Sequence, residues 1–146
     1  MKENLTLKMS GSKHAMLDKV LVDTSVWIEF FREKESGVSL KIKEYLRLNQ
    51  VCYVGLIAVE LYQGAKTEKE IQVINDLFEA VNYVEIERKH YFHAGQISQK
   101  AGRKGKTFST VDMVIAALSH DENLTLFTLD HHFREIAQYL DLSLVD

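Results

Sequence analysis

A short run of aliphatic residues that halts at an aspartate and turns at once into a helix, VLVDTSVWIEFF at residues 20–31, constrains this chain more than any other feature. VLV reads as a buried strand. The segment after it places Val26 and Phe30 on one helical stripe and Trp27 and Phe31 on the next. The same alternation then continues along the sequence. Strands are expected over 19–23, 51–54, 83–86 and 125–128, with a last strand at 142–145 on a sheet edge. Helices are expected over 24–32, 39–49, 57–64, 68–80, 88–101 (closed by Gly102), 109–120 and 131–139. Strands separated by helices imply βαβ crossovers. The expected fold is therefore α/β: one three-layer, Rossmann-like domain with a mostly parallel sheet of about five strands flanked by helices.

The 146 residues, 46% of them hydrophobic, suffice for one domain with a sizeable core. Residues 1–16 show neither period and contain the string SGS. They read as a flexible N-terminal extension or an addition ahead of the natural start, leaving 17–146 as the folded domain. Cys52 is the single cysteine, so no internal disulfide can form and a reducing, cytoplasmic setting is expected. The longest apolar run, MVIAAL at 113–118, is too short to span a bilayer. A net charge of −3 argues against nucleic acid as a partner, unless the acids gather around metal ions that reverse the local sign.

Four carboxylates decide that point. Asp23 and Asp130 each follow a strand and precede a helix, which fits helix caps equally well. Asp112, three residues after Ser109, imitates a capping box at the start of a helix that is apolar nearly all round. Glu60 lies in mid-helix between Val59 and Leu61, where no cap is needed; if buried, it requires a partner or a cation. In a parallel sheet the strand C-termini share one edge, and that edge carries the ligand site. All four acids map to it. Together they would repel one another unless positive charge were near. Hard cations such as Mg²⁺ take oxygen ligands, and a bound divalent ion suits phosphodiester hydrolysis. A haloacid dehalogenase-type site would need a second acid where Ser25 stands, and no G-x-G-x-x-G follows the first strand to suggest a dinucleotide fold.

In this order, VLVDTSVWIEFF, AVELYQGA, STVDMVIAALSH and LFTLDHHF resemble the motifs of a PIN-domain ribonuclease, in particular a VapC-type toxin of a type II toxin–antitoxin system. The resemblance implies catalytic and metal-holding roles for Asp23, Glu60, Asp112 and Asp130 around Mg²⁺ (or Mn²⁺), with Thr24, Ser25 and Thr128 orienting the carboxylates. It also implies hydrolysis of tRNA or rRNA to 5′-phosphate and 3′-hydroxyl ends, a homodimer, and silencing by a cognate protein antitoxin. The rival reading is a PIN-like module that binds RNA or protein without cutting.

Other residues invite weighing. KAGRKGK, residues 100–106, carries Lys100, Arg103, Lys104 and Lys106 just ahead of the Asp112 helix. Arg103, Lys104 and Lys106 are expected to hold RNA phosphates, although cations also suit a helix C-terminus. His90, His93, His131 and His132 read as surface histidines, with no cysteine or closed histidine set beside them. Trp27, Phe30, Phe31 and Tyr62 read mostly as core, with a share left for an antitoxin groove or a dimer contact.

Overall fold

β1 (Val20–Val22) runs through the centre of a sheet with β2 (Val51–Tyr53) on one side and β4 (Thr125–Phe127) on the other. Outside these lie β3 (Asn82–Tyr83) and β5 (Ser143–Leu144), giving the order β3-β2-β1-β4-β5 with every pairing parallel. This computed structural model describes residues 19–146; the expected extension over 1–16 lies outside the described residues, as do Leu17 and Asp18. Register pairs Val20 with Val51 and with Thr125, so the C-terminal ends of the three central strands finish level. Leu21 and Val22 have no exposed surface. Burying each such side chain is worth about 1.5–3 kcal/mol, which makes β1 the anchor of the core.

Seven helices connect the strands among the described residues: α1 (Thr24–Arg32), α2 (Gly37–Arg47), α3 (Gly55–Gly64), α4 (Glu68–Ala80), α5 (Arg88–Arg103), α6 (Thr110–Asp121) and α7 (His132–Ile136). The apolar string in α6 behaves as its composition demands: Met113 through Ser119 are all buried. Ser119 is tolerated there because its hydroxyl donates to the Ile115 carbonyl at 2.8 Å.

Three helices stop by the same device. After α2, α5 and α6 the chain enters the left-handed region at Asn49 (φ 57°), Gly105 (φ 78°) and Asn123 (φ 55°). The following amides then reach back to Tyr45, Ala101 and Ser119. Asparagine and glycine are the residues that enter this region at least strain. The two asparagines turn the chain directly into β2 and β4.

The expected elements all form, with shifted ends. β3 is Asn82–Tyr83 rather than 83–86, because pairing with β2 ends after Tyr53↔Tyr83 and one further bond, Val84 N–H to the Tyr53 carbonyl. α5 passes through Gly102 to Arg103, since Gly105 provides the stop. α2 starts at Gly37 because Ser36 caps it, its hydroxyl accepting from the Ser39 amide at 3.1 Å. α3 starts at Gly55 rather than residue 57. α7 ends at Ile136, three residues short of the expected 139.

Candidate active site

The topology alone gathers the four acids. α1 and α3 begin where β1 and β2 end, and α6 runs back to feed β4, so its N-terminus sits at the same edge. Asp23 follows β1, Asp130 follows β4 by a short turn, Glu60 lies in the second turn of α3, and Asp112 is in the first turn of α6.

Asp23 is buried, 6% exposed, and does not cap α1. Its Oδ2 instead accepts hydrogen bonds from Ser25 Oγ at 2.9 Å and Thr128 Oγ1 at 2.8 Å. Its amide donates to the Phe127 carbonyl at 2.9 Å, closing β1 onto β4. Thr128 Oγ1 also accepts from the Asp130 amide at 3.0 Å, and Ser25 Oγ accepts from the Leu129 amide at 3.0 Å. Two hydroxyls thus lock the turn that delivers Asp130 to the one that delivers Asp23. Thr24 Oγ1 donates to Glu60 Oε1 at 2.5 Å, tying α1 to α3. Every hydroxyl singled out in the sequence has a carboxylate partner.

Asp112 takes its place from a cap. Ser109 Oγ accepts from the Asp112 amide at 3.0 Å, which starts α6 and leaves the Asp112 carboxylate to face the other acids. Burial pushes the Asp112 carboxyl above the ordinary 3.8, the charges of Asp130, Asp23 and Glu60 adding to the effect and the Ser109 hydroxyl opposing it. Among the described residues, no lysine or arginine pairs with any of the four.

The donor atoms of Asp112, Asp130 and His132 lie within 4.8 Å of one another, the spacing a single ion can bridge. Asp23 and Glu60 stand outside that tight group, their charge felt at Asp112. His132, read from the sequence as a surface histidine, is indeed exposed, but it also stands beside Asp130. Its position two residues after Asp130 was the available signal. A half-exposed ring, its Nδ1 sits 2.8 Å from Asp130 Oδ1.

The other readings divide. Arg103, Lys104 and Lys106 are exposed on the connection that leads from α5 into the Ser109 cap. Arg103 donates to Gln99 Oε1 at 2.8 Å, and Lys104 Nζ lies 5.9 Å from the centre of the Tyr139 ring. His90 is not on the surface: it is buried, Nδ1 accepting from the Glu87 amide at 2.9 Å and Nε2 facing Glu122 at 2.9 Å. Trp27 is wholly core, stacked on Phe31. Phe31, with Ile28, Leu61 and Ile74, lines a cleft of about 470 Å³ that Glu60 also borders.

A family profile described as PIN domain matches residues 20–139. Ribonuclease VapC2 of Haemophilus influenzae is 25% identical over 128 residues, covering 85% of this chain and 94% of that protein. In a VapBC complex from Salmonella typhimurium bound to DNA, one chain superposes with a TM-score of 0.73 at 20% identity, over 88% of this chain and 98% of that one. A member of the VapBC family of toxin–antitoxin systems from Mycobacterium tuberculosis, VapBC-5, gives a TM-score of 0.62 at 16% identity, over 87% and 97%.

Proposed function

This chain belongs to the PIN-domain family, and from that premise we propose that it is a metal-dependent endoribonuclease, the toxin of a toxin–antitoxin pair. The observation that carries the reading is the convergence of Asp23, Glu60, Asp112 and Asp130 on one sheet edge, with no lysine or arginine among the described residues to neutralise them. The ribonuclease name of the Haemophilus influenzae relative supports the activity, and the toxin–antitoxin complex from Mycobacterium tuberculosis supports the pairing with an antitoxin.

Asp112 and Asp130, backed by Asp23 and Glu60, would hold Mg²⁺ or Mn²⁺. When bound, such an ion supplies an activated water near neutral pH and positive charge at the scissile phosphate and leaving oxygen. The chain's own residues do the positioning. Ser25 and Thr128 hold the Asp23 carboxylate in place, and Thr24 does the same for Glu60. None of these hydroxyls is free to attack phosphorus, since each already donates to a carboxylate. Cys52 is no nucleophile either, its buried thiol being pushed up to about 12. Attack by water with cleavage of the P–O3′ bond, the 3′-oxygen leaving and taking up a proton, gives 5′-phosphate and 3′-hydroxyl ends.

Arg103 at the end of α5, and Lys104 and Lys106 on the connection that leads into α6, bind the phosphates that flank the cut. The substrate is a tRNA or rRNA, the protein acts in the cytoplasm, and it works as a homodimer. The cleft beside Phe31 receives an antitoxin segment, and its border with Glu60 supports direct silencing of the site.

The test is cleavage of total RNA in Mg²⁺ or Mn²⁺ by wild type and Asp23→Asn, with product ends mapped. Metal-dependent 5′-phosphate ends from wild type, reduced at least ~100-fold in the variant, are expected. Equal cutting by both, or none by either, overturns the reading in favour of a binding module.

A further inference from the structure

We infer that His132 supplies a nitrogen donor to the metal centre proposed above, beside Asp112 and Asp130, and so biases that centre from Mg²⁺ towards first-row transition ions such as Mn²⁺. The inference rests on the metal-centre reading and adds to it a residue that the four-acid pattern does not contain.

The geometry is specific. Asp130 Oδ1 receives two contacts from the same residue, the His132 amide at 3.0 Å and the His132 ring Nδ1 at 2.8 Å. The amide contact places His132 at the start of α7 with its ring beside the same carboxylate. The His131 ring packs against it at 4.5 Å between centres, holding the imidazole plane from its outer side. Asp112 completes the group within 4.8 Å. A cation held by Asp130 and Asp112 would have a His132 ring nitrogen within ligand reach. Mg²⁺ prefers oxygen and keeps most of its waters. An imidazole nitrogen raises affinity along the transition series instead.

A second group shares the same ring. His131, His132 and Glu135 also have donor atoms within 4.8 Å of one another, but His131 and His132 are exposed, and His131 Nε2 stands 3.8 Å from Glu135 Oε2. That outer group lacks Asp112, which gives the experiment its control.

The full-length protein, stripped of metal, is loaded with one equivalent of Mn²⁺ and examined by pulsed electron paramagnetic resonance for ¹⁴N coupling. Mn²⁺ and Mg²⁺ affinities are measured in parallel by calorimetry. Wild type is expected to show imidazole coupling. His132→Ala should lose it and bind Mn²⁺ roughly 10- to 100-fold more weakly, with Mg²⁺ affinity changed far less. His131→Ala should keep the coupling. His132→Gln serves as the second variant should the alanine disturb α7. Mn²⁺ bound by wild type without ¹⁴N coupling overturns the role of His132 and leaves the acid centre standing. Coupling lost in His131→Ala moves the ion to the outer group and equally overturns it. Failure of wild type to bind Mn²⁺ at all removes both this inference and the metal-centre reading.

Discussion

Replacing Thr128 by valine deletes one hydroxyl and almost no volume, and that hydroxyl has two partners. It donates to Asp23 Oδ2 at 2.8 Å and accepts from the Asp130 amide at 3.0 Å. A hydrogen bond to a buried carboxylate contributes about 1.5–3 kcal/mol, and stranding a half-buried amide adds about 1 kcal/mol. Ser25 retains its own bond to Asp23 at 2.9 Å, so the lower end of that range applies. The expected loss is about 2.5 kcal/mol. For a domain of this length that lowers Tm by about 10 °C. Loosening both Asp23 and Asp130 is also expected to reduce RNA cleavage about 10- to 100-fold, as for other residues that orient a metal ligand. Calorimetry and a metal-dependent cleavage assay on wild type, Thr128→Val and Thr128→Ser give the answer, the serine variant keeping both bonds. Thr128→Val melting within about 2 °C of wild type and cutting at full rate would refute the claim that this hydroxyl holds the site together.

Two further outcomes follow from the same edge of the sheet. In chelator, Asp112→Asn should be more stable than wild type at neutral pH: the folded value for Asp112 is raised, so its ionised form weakens the native state above that value, and the penalty vanishes as pH falls below 3.8. Urea titrations at pH 7 and in acid check this, and an Asn variant no more stable at pH 7 contradicts it. Arg103→Ala should weaken RNA binding and flatten the dependence of log K on log salt by about 0.7, the value for one lost contact to single-stranded RNA. An unchanged slope removes Arg103 from the interface.

Sequence pattern revealed the fold down to the order of its elements because each strand is a short aliphatic run bounded by turn residues. What it misplaced were ends, and the reasons lie in contacts rather than composition. Nothing in RKHYFHAGQISQKAGRKG marks Gly105 over Gly102 as the helix stop until the Gly105 amide finds the Gly102 carbonyl and the Lys106 amide that of Ala101. The four acids were legible as a set because strand ends share an edge, and the hydroxyl partners followed from the family motif. The burial of His90 was not legible, nor was the contact of the exposed His132 with Asp130. A histidine's role depends on what its two nitrogens face, and here those are Glu87 and Glu122 for one and Asp130 for the other, set by how α5, α6 and α7 pack.

The lock between Thr128 and Asp23 joins residues 105 positions apart. Because β1 pairs with β4 over that span, a chain still emerging from the ribosome can dock β2 against β1 but must leave the other flank of β1 open until Phe127 is available. Long-range parallel pairing of this kind closes late in folding. A chain that stops short of Phe127 leaves β1 without β4 beside it and Asp23 without its Thr128 partner, so the edge on which the four acids meet is assembled only when synthesis is nearly complete.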